Sequence, residues 1–402
     1  MRIIKNPQRT DWDELLQRPL MNVDTLRDTV SSILAEIKAY GDDAVRKYEK
    51  QFDKVDLDVL EVSEEEMNEA DALVSQELKD ALIQAHENIH KFHASQKSES
   101  KKVEVCDGVT CWQKNVPIEK VGLYIPGGTA PLFSTVLMLA TPARIAGVSK
   151  IFKIGGVQAI GAMAYGTQSV PKVYKIFGPG NQYVMAAKQQ VSLHDVSIDM
   201  PAGPSEVEVL ADQAANPEFV AADLLSQAEH GVDSQVLLIT DSEELIQRVE
   251  EEVNRQLPLL SRRDIAEKSL ANSKLILVKD MDEALEMTNK YAPEHLIIET
   301  ENYMQLADRI VNAGSVFCGP YSPESAGDYA SGTNHTLPTN GYAKMYNGVN
   351  LDSYNRKITF QELSPQGVKA IGRTVEIMAA NEHLDAHKNA MTVRLNSLKE
   401  QK

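Results

Sequence analysis

Short apolar runs punctuated by glycine alternate with stretches of helical periodicity through the middle of the chain. Runs at 121–125, 151–156 and 175–180 alternate with helical segments, such as those at 135–146 and 182–191. This alternation predicts βαβ units around a parallel sheet. Three further runs, at 206–210, 235–240 and 274–278, are each followed by a helical segment and predict a second sheet.

Polar helical patterns flank this central region. Residues 24–97 read as helices, with Ser63 before three glutamates as one N-terminal cap. The last fifty residues are polar and predicted to be helical, with 377–394 as the longest run. A polar C-terminal arm of this kind often packs against a partner subunit.

Composition narrows the class of protein. A chain of 402 residues can bury a sizeable core and form two or more domains. No apolar run approaches membrane-spanning length, and a net charge of −17 disfavours nucleic acid and anionic membranes as partners. Cys106, Cys111 and Cys318 are odd in number and form no CxxC pair, which indicates a reducing, cytoplasmic location and argues against a cysteine-based zinc site.

A glutamine and a histidine near a helix end are the first candidate metal ligands. Gln227 and His230 are three residues apart, so on a helix their side chains share a face, and Gly231 offers a helix stop. An amide oxygen with an imidazole suits a catalytic zinc ion better than a structural one, because further ligands and an open position are then required. Alone, such a pair more often caps the helix or faces solvent.

Three later segments carry further acids and imidazoles. Glu294 and His295 follow a proline-marked turn, and a Gly/Ser/Asn-rich loop carries an acid and an imidazole. Near the end, a glutamate and a histidine are five residues apart. The residues of these last two segments are Asp328, His335, Glu382 and His387.

Taken together in this order, the four segments resemble the histidinol dehydrogenase family, which catalyses the last step of histidine biosynthesis. The resemblance extends from about residue 20 to about residue 398. It implies an NAD-dependent, four-electron oxidation of L-histidinol through the aldehyde to L-histidine. It also implies one Zn²⁺ per subunit and a homodimer, with no nucleic-acid or membrane partner.

The resemblance assigns a role to each candidate residue. Zinc would be held by Gln227, His230, Asp328 and His387, the last supplied by the other subunit. Glu294 and His295 would accept protons, His295 from the alcohol and Glu294 from the water that hydrates the aldehyde. The remaining substrate contacts would be Ser205, His335 and Glu382, alongside Gln227, His230, His295, Asp328 and His387.

The nucleotide region lacks a G-x-G-x-x-G fingerprint. By resemblance, Tyr124, Gln158 and Asn181 would contact NAD, although each motif alone is only a turn before a helix. The chain departs from the family here, because residues 146–150 lead directly into the 151–156 run. About one βα unit is predicted to be missing, which shifts Tyr124 relative to the other two residues.

Two rival functions remain open. His86, Glu87 and His90 satisfy the H-E-x-x-H pattern of zinc peptidases, with His93 one turn later, so a zinc hydrolase is one alternative. A catalytically impaired zinc-binding homodimer, disabled by the shortened nucleotide domain, is the other.

The predicted fold is α/β, with two incomplete Rossmann-like domains built on parallel sheets and small helical N- and C-terminal segments. The predicted dimer has intertwined C-terminal arms. The predicted division has an N-terminal segment 1–23, a substrate and zinc domain formed by 24–100 and 204–349, a shortened NAD domain 101–203, and an arm 350–402.

Overall fold

The computed structural model describes residues 1–19, 23–127, 132–144 and 151–400. The strands are β1 (Arg2–Lys5), β2 (Val103–Cys106), β3 (Val109–Pro117), β4 (Val121–Leu123), β5 (Lys175–Phe177), β6 (Ser197–Ile198), β7 (Glu206–Ala211), β8 (Gln235–Thr240), β9 (Lys274–Leu277), β10 (His295–Glu299), β11 (Ser315–Cys318) and β12 (Asn355–Leu363).

The helices begin at α1 (Trp12–Leu15) and continue as α2 (Val23–Tyr40), α3 (Asp42–Tyr48), α4 (Glu64–Leu73), α5 (Gln76–Ala94), α6 (Ser134–Arg144), α7 (Gly156–Tyr165), α8 (Gln182–Ser192), α9 (Pro217–Ala228), α10 (Glu243–Gln256), α11 (Arg263–Ala271), α12 (Met281–Tyr291), α13 (Tyr303–Ala307), α14 (Glu324–Tyr329), α15 (Pro365–Asn381) and α16 (Asp385–Glu400). Ser63 caps α4 through a capping box with Glu66, as expected from the sequence. No helix in the described ranges is both long and apolar enough to cross a bilayer.

A six-stranded parallel sheet in the order β1-β9-β8-β7-β10-β11 forms the larger core. Every residue of β7, β8 and β10 is buried, which is the pattern of a parallel sheet covered on both faces. α9, α10 and α11 pack on one face, while α1, α12 and α13 pack on the other. The second sheet predicted from the sequence is confirmed.

The amino ends of the parallel strands meet at one edge of this sheet. Glu206 begins β7, Gln235 begins β8 and His295 begins β10, and the paired registers place these three residues at neighbouring positions. Side chains that follow different stretches of sequence are therefore gathered at this edge, which carries the candidate site.

A smaller parallel sheet has the order β4-β5-β6, with α7 and α8 packed near it and α2 packed against both helices. The run at 151–156 was expected to form one of its strands, and this is wrong. Phe152 instead makes an isolated antiparallel bridge with Glu61, flanked by backbone hydrogen bonds from Val62 to Ile151 and from Lys153 to Leu60. Residues 145–150, where a βα unit is predicted to be missing, lie outside the described residues.

The chain divides into two compact units. One comprises Met1–Ser95 and Glu119–Ser353, and the other comprises Gln96–Ile118 and Tyr354–Lys402. In the second unit β12, β3 and β2 form an antiparallel sheet. The expected all-helical arm is therefore corrected, because β12 alternates apolar and polar residues and pairs with β3 over nine positions.

The continuous helix predicted at 377–394 is interrupted, so this prediction is also corrected. α15 ends at Asn381 and α16 begins at Asp385. His383 adopts φ +59°, and the N–H of Leu384 donates to the carbonyl of Ala379 at 2.9 Å. This is a Schellman ending with histidine at the position that glycine usually takes.

Several segments lie differently from the predicted division. The first residues form strand β1 beside β9, so the N-terminal segment is not wholly helical. α2 packs with α7 and α8, although it was assigned to the substrate domain. β2 and β3, assigned to the NAD domain, pair with β12. The domain boundaries themselves stay a prediction.

Candidate metal and catalytic site

His295 lies at the centre of a buried cluster of carboxylates. Its Nδ1 is 3.6 Å from Glu294 Oε2 and 3.6 Å from Glu324 Oε1, and its Nε2 is 3.5 Å from Asp328 Oδ1. All four side chains are buried. β10 supplies His295, the turn before it supplies Glu294, and the short helix α14 supplies both Glu324 and Asp328.

The backbone of Glu206 holds both members of the candidate catalytic pair. Its N–H donates to Glu294 Oε2 at 3.0 Å, and its carbonyl accepts from His295 Nδ1 at 3.2 Å. A carbonyl cannot donate, so Nδ1 carries the ring proton in this contact. His295 Nε2 has no hydrogen-bond partner among the described residues, so this nitrogen is left to exchange protons.

Burial shifts the pKa values of these groups. It raises the pKa of Glu294 to about 8, and it also raises the pKa of Glu324 well above the ordinary range. Burial alone would lower the pKa of His295, but the surrounding carboxylates of Glu324, Glu294 and Asp328 raise it well above the usual imidazole value. Contact with His295 holds the pKa of Asp328 below its usual value despite burial. Three carboxyl groups, of Glu294, Glu324 and Asp328, thus surround one imidazole, whose single positive charge cannot balance all three if they are ionised.

α9 brings two more candidate ligands towards the same edge. Asn216 caps this helix and Pro217 occupies its first turn, which fixes where the helix begins. Gln227 lies in its last turn, fully buried, and neither atom of its amide has a hydrogen-bond partner in the described part of the chain. His230 follows the end of the helix with an exposed side chain, and its N–H donates to the Gln227 carbonyl at 3.2 Å.

The donor atoms of three residues meet at a distance suited to one cation. Ligand atoms of His230, Glu324 and Asp328 all lie within 4.8 Å of one another. Both carboxyl oxygens of Glu324 and Oδ1 of Asp328 are buried without a hydrogen bond to any described residue. Unpaired buried carboxylates are costly unless a cation or proton compensates them. These residues and the Gln227 amide fit an oxygen- and nitrogen-coordinated divalent cation.

Glu324 was missed in the sequence, although a signal was present. It precedes Asp328 by four residues, so both project from one face of α14. The short helix begins immediately after Pro323, and its first residue is this buried glutamate. An acid four residues before a candidate metal ligand is therefore a signal in the sequence that could have identified Glu324 as part of the site.

His335 contacts Asp328 through the backbone. Its Nδ1 lies 3.0 Å from the Asp328 carbonyl, and its Nε2 lies 3.2 Å from the hydroxyl of Thr135 on α6. Burial lowers the pKa of His335, which favours the neutral ring. Ser205 is half-buried next to Glu206, and its carbonyl accepts from the N–H of Gln235 at 3.2 Å.

Glu382 and His387 belong to the second compact unit. Glu382 is the C-cap residue that follows α15, and His387 lies in the first turn of α16. Both side chains are exposed. Their predicted roles at a partner's site stay predictions.

The predicted nucleotide contacts have structural partners of their own. The Tyr124 hydroxyl accepts from the N–H of Gly156 at 3.2 Å. The buried Gln158 amide donates to Glu49 at 2.9 Å and to Asp53 at 3.1 Å, while its Oε1 has no partner within the described ranges. Asn181 caps α8 by accepting from the N–H groups of residues 183 and 184. Each residue thus also serves the local fold.

The H-E-x-x-H histidines on α5 do not form a metal site. The rings of His86 and His90 have centroids 6.0 Å apart, and His90 is exposed. His93 is buried, with Nδ1 2.9 Å from the carbonyl of Ile89. Among the described residues, the single group with metal-like geometry excludes them all.

The chain is similar to known proteins of one family. The sequence model of the family described as Histidinol dehydrogenase matches residues 16–152 and 145–395. A protein named histidinol dehydrogenase from Bacteroides thetaiotaomicron is 67% identical, over 99% of this chain and 100% of that protein. One of the same name from Escherichia coli K12 is 51% identical, over 96% of each chain. The crystal structure of histidinol dehydrogenase from Elizabethkingia anophelis superposes with a TM-score of 0.97 at 50% identity, covering 99% of each chain.

The lengths of these matches bear on the predicted gap. The alignment with the Bacteroides thetaiotaomicron protein spans 427 positions, whereas this chain has 402 residues, so at least 25 positions face a gap in it. The two segments matched by the family model meet at residues 145–152, where a βα unit is predicted to be missing.

Proposed function

The chain belongs to the histidinol dehydrogenase family, and on that premise we propose that it oxidises L-histidinol to L-histidine with two molecules of NAD. The observation that carries this proposal is the buried set of His295, Glu294 and Asp328, with ligand atoms of His230, Glu324 and Asp328 within 4.8 Å of one another. The enzyme would act in histidine biosynthesis in the cytoplasm, as expected from the sequence.

A zinc ion would be held by Gln227, His230 and Asp328, with His387 supplied by the partner subunit of a homodimer. Glu324 lies close enough to take part or to neutralise the site. When bound, the ion would supply Lewis-acid chemistry and orient the amino and imidazole nitrogens of the substrate. The predicted ligands provide only nitrogen and oxygen donors, which suits this role.

His295 would accept the proton in the first oxidation. The surrounding carboxylates raise the pKa of His295, and a cation bound to them would lower it again and leave Nε2 unprotonated. Because Nδ1 is engaged with the carbonyl of Glu206, Nε2 would then take the hydroxyl proton of the alcohol. When bound, NAD would accept the hydride from the carbon that carries the hydroxyl, so this oxidation would give histidinaldehyde, one NADH and one proton.

Glu294 would activate water in the second oxidation. A carboxyl with a pKa of about 8 becomes ionised as the pH rises through that value, and the ionised form would take a proton from water that adds to the aldehyde. A second NAD would accept the hydride from the hydrated carbon, so aldehyde and water together would give the carboxylate, NADH and two protons. A cysteine thiohemiacetal is not required, since no cysteine lies in a site motif.

Ser205, His335 and Glu382 would complete the substrate contacts. The Asp328 carbonyl orients the ring of His335, so this ring would contact a substrate that binds beside Asp328. Glu382 would act with His387 from the partner, which requires the dimer with intertwined arms.

Tyr124, Gln158 and Asn181 would contact NAD in a shortened Rossmann-like domain. Gln158 Oε1 has no hydrogen-bond partner among the described residues, but its side chain is fully buried, so a contact with NAD would require this side chain to move. The gap near residue 150 makes NAD affinity the measurement that separates this function from a catalytically impaired zinc-binding homodimer.

The test is NADH formation by zinc-loaded protein given L-histidinol and NAD. We expect two NADH for each histidinol consumed. Glu294→Gln should retain alcohol oxidation and lose aldehyde oxidation by about 100-fold or more, whereas His295→Ala should lower both, because general acid–base groups contribute about 10²–10⁴-fold. Both variants should keep their zinc.

Two results would contradict the proposal. A folded, zinc-bound protein that binds NAD but makes no NADH from histidinol excludes this activity. Failure to bind NAD supports the impaired homodimer. A His86→Ala variant serves as the control and should behave as the unaltered protein, since His86 lies outside the cluster.

A further inference from the structure

Arg18 is a largely buried arginine that contacts Glu206 and the turn that precedes the candidate catalytic pair. Its side chain is 15% exposed, and the guanidinium binds the carboxylate of Glu206 through two hydrogen bonds, Nε to Oε2 at 2.6 Å and Nη2 to Oε1 at 3.1 Å. A bidentate pair of this kind fixes the relative orientation of both side chains. The proposed reaction uses neither residue.

Two other groups complete the coordination of the Glu206 carboxylate. The Tyr291 hydroxyl lies 2.9 Å from Oε2, and the N–H of Asn340 donates to Oε1 at 2.8 Å. The guanidinium also lies over the Tyr291 ring, with Cζ 3.8 Å from the ring centroid. The carboxylate is therefore held from several directions at the first residue of β7.

Arg18 also holds the chain that leads into the catalytic pair. Its Nη2 donates to the carbonyl of Tyr291 at 2.8 Å and lies 3.4 Å from that of Ala292. Ala292 adopts φ +56°, a conformation that needs support in a residue other than glycine. This turn is followed by Pro293, Glu294 and His295.

Glu206 connects this anchor to the reacting side chains. While its side chain is held by Arg18, its backbone N–H and carbonyl bind Glu294 and His295, respectively. One guanidinium thus restrains the catalytic pair by two routes, through the backbone of Glu206 and through the turn at 291–292. None of its hydrogen bonds described above reaches a candidate metal ligand.

We propose that Arg18 is a positioning residue, which through Glu206 and the 291–292 turn keeps Nε2 of His295 and the carboxyl of Glu294 directed at the substrate. The inference rests on the proposed function for its kinetic consequences, but its structural consequence is independent of turnover. Lysine would be a poor substitute, since an ammonium cannot reproduce the planar fork that spans a carboxylate and a carbonyl.

The kinetic test compares Arg18→Gln, Arg18→Lys and Arg9→Gln. Arg9 is the matched control, because it is exposed, pairs with Glu286 and lies over Trp12 in the same N-terminal segment. We expect Arg18→Gln to lower kcat by about 100-fold, the loss that a misplacement of about 1 Å produces. KM for histidinol and zinc content should stay within about threefold, because the metal ligands are not touched.

Arg18→Lys should recover part of the lost kcat, and Arg9→Gln should keep all of it. A folded, zinc-bound Arg18→Gln protein with kcat within threefold of the unaltered enzyme overturns the proposal. So does a loss that appears only in KM.

Loss of Arg18 alone leaves Glu206 buried without its counter-charge and can prevent folding. The double variant Arg18→Met/Glu206→Gln removes both charges and keeps an amide for Tyr291 and Asn340. Its kcat should remain about 100-fold low in a folded protein, since the guanidinium bonds to the turn are absent. Full activity in the double variant contradicts the positioning role.

A spectroscopic readout separates this inference from the proposed function. ¹H–¹⁵N NMR of the His295 ring should show a hydrogen-bonded Nδ1–H that exchanges slowly with solvent in the unaltered and Arg9→Gln proteins, and faster exchange of this proton in Arg18→Gln. If the unaltered protein fails to oxidise histidinol, the proposed function fails while this measurement still decides the inference. An unchanged His295 signal in Arg18→Gln overturns it.

Discussion

Glu208 shows how strongly burial acts on a single carboxyl in this protein. It lies in the middle of β7 with no exposed surface, and the Thr288 hydroxyl is its hydrogen-bond donor. Its Oε2 has no partner in the described part of the chain. Burial raises its pKa to about 8, although Arg18 acts in the opposite direction.

Replacing Glu208 by glutamine should change how stability depends on pH. Between about pH 4.5 and pH 8 the folded protein keeps a proton that the unfolded chain loses, so this group lowers stability as pH rises through that range. Glu208→Gln removes the effect, and its stability relative to the unaltered protein should improve by on the order of 3 kcal/mol between pH 5.5 and pH 8.5.

Urea unfolding of chelator-treated protein at the two pH values measures this difference. The exposed Glu251→Gln on α10 is the matched control and should show no such gain. An equal response of the two variants to pH would contradict the prediction.

At the same scale, the sequence identified most side chains that the structure brings together. His230, Glu294, His295 and Asp328 were found because each lies in a motif with a chemical pattern of its own. Arg18 and Glu206 could not be found in this way, because their importance comes from contacts between residues 188 positions apart.

At the scale of elements, several strands with apolar runs were predicted, whereas the fully buried β10 and the mostly exposed β12 were not. β7, β8 and β9 are almost entirely buried, as expected for strands covered on both faces. Their runs were predicted as strands from the sequence. β12 is mostly exposed, and its alternation of Ile358 and Phe360 with polar residues was read as part of a helical arm. Phe152 shows the opposite error, since an apolar run suggested a sheet strand but its partner is Glu61.

The joint between α15 and α16 allows a prediction for these elements. His383 occupies the left-handed conformation, which asparagine tolerates and a β-branched residue does not. His383→Val should therefore destabilise the second unit by about 1–2 kcal/mol, whereas His383→Asn should be close to neutral. Thermal unfolding of the two variants measures this, and equal midpoints would contradict it.

If the partner-supplied roles of Glu382 and His387 hold, the same joint sets their spacing. Under that proposal, His383→Val should weaken zinc retention more than His383→Asn does. This is read from zinc content after dialysis.

At the scale of the whole molecule, metal binding should stabilise the fold. Buried carboxyl oxygens of Glu324 and Asp328 have no hydrogen bond to a described residue, which disfavours the metal-free protein. A cation that binds only the folded state adds about 2.7 kcal/mol at a hundredfold excess over Kd. Adding Zn²⁺ to chelator-treated protein should therefore raise its unfolding midpoint. Mg²⁺ should do so much less, because imidazole is a poor ligand for it.

The double variant Glu324→Gln/Asp328→Asn is the control for this effect. It removes the carboxylate charges of both residues. Without metal, it should be more stable than the unaltered protein, and Zn²⁺ should not change its unfolding midpoint. A Zn²⁺ response of the same size in both proteins would place the cation elsewhere.

The pairing of β1 with β9 also has a consequence for how the chain is made. Arg2 lies beside Lys274, and at about 5–20 residues per second a ribosome needs roughly 14–54 s to synthesise the chain between them. During that time the first strand of the nascent chain has no partner, and Arg18 precedes Glu206 and the 291–292 turn in synthesis. The first residues to leave the ribosome therefore form their native contacts late. A translation product that ends before residue 274 would lack the strand that pairs with β1.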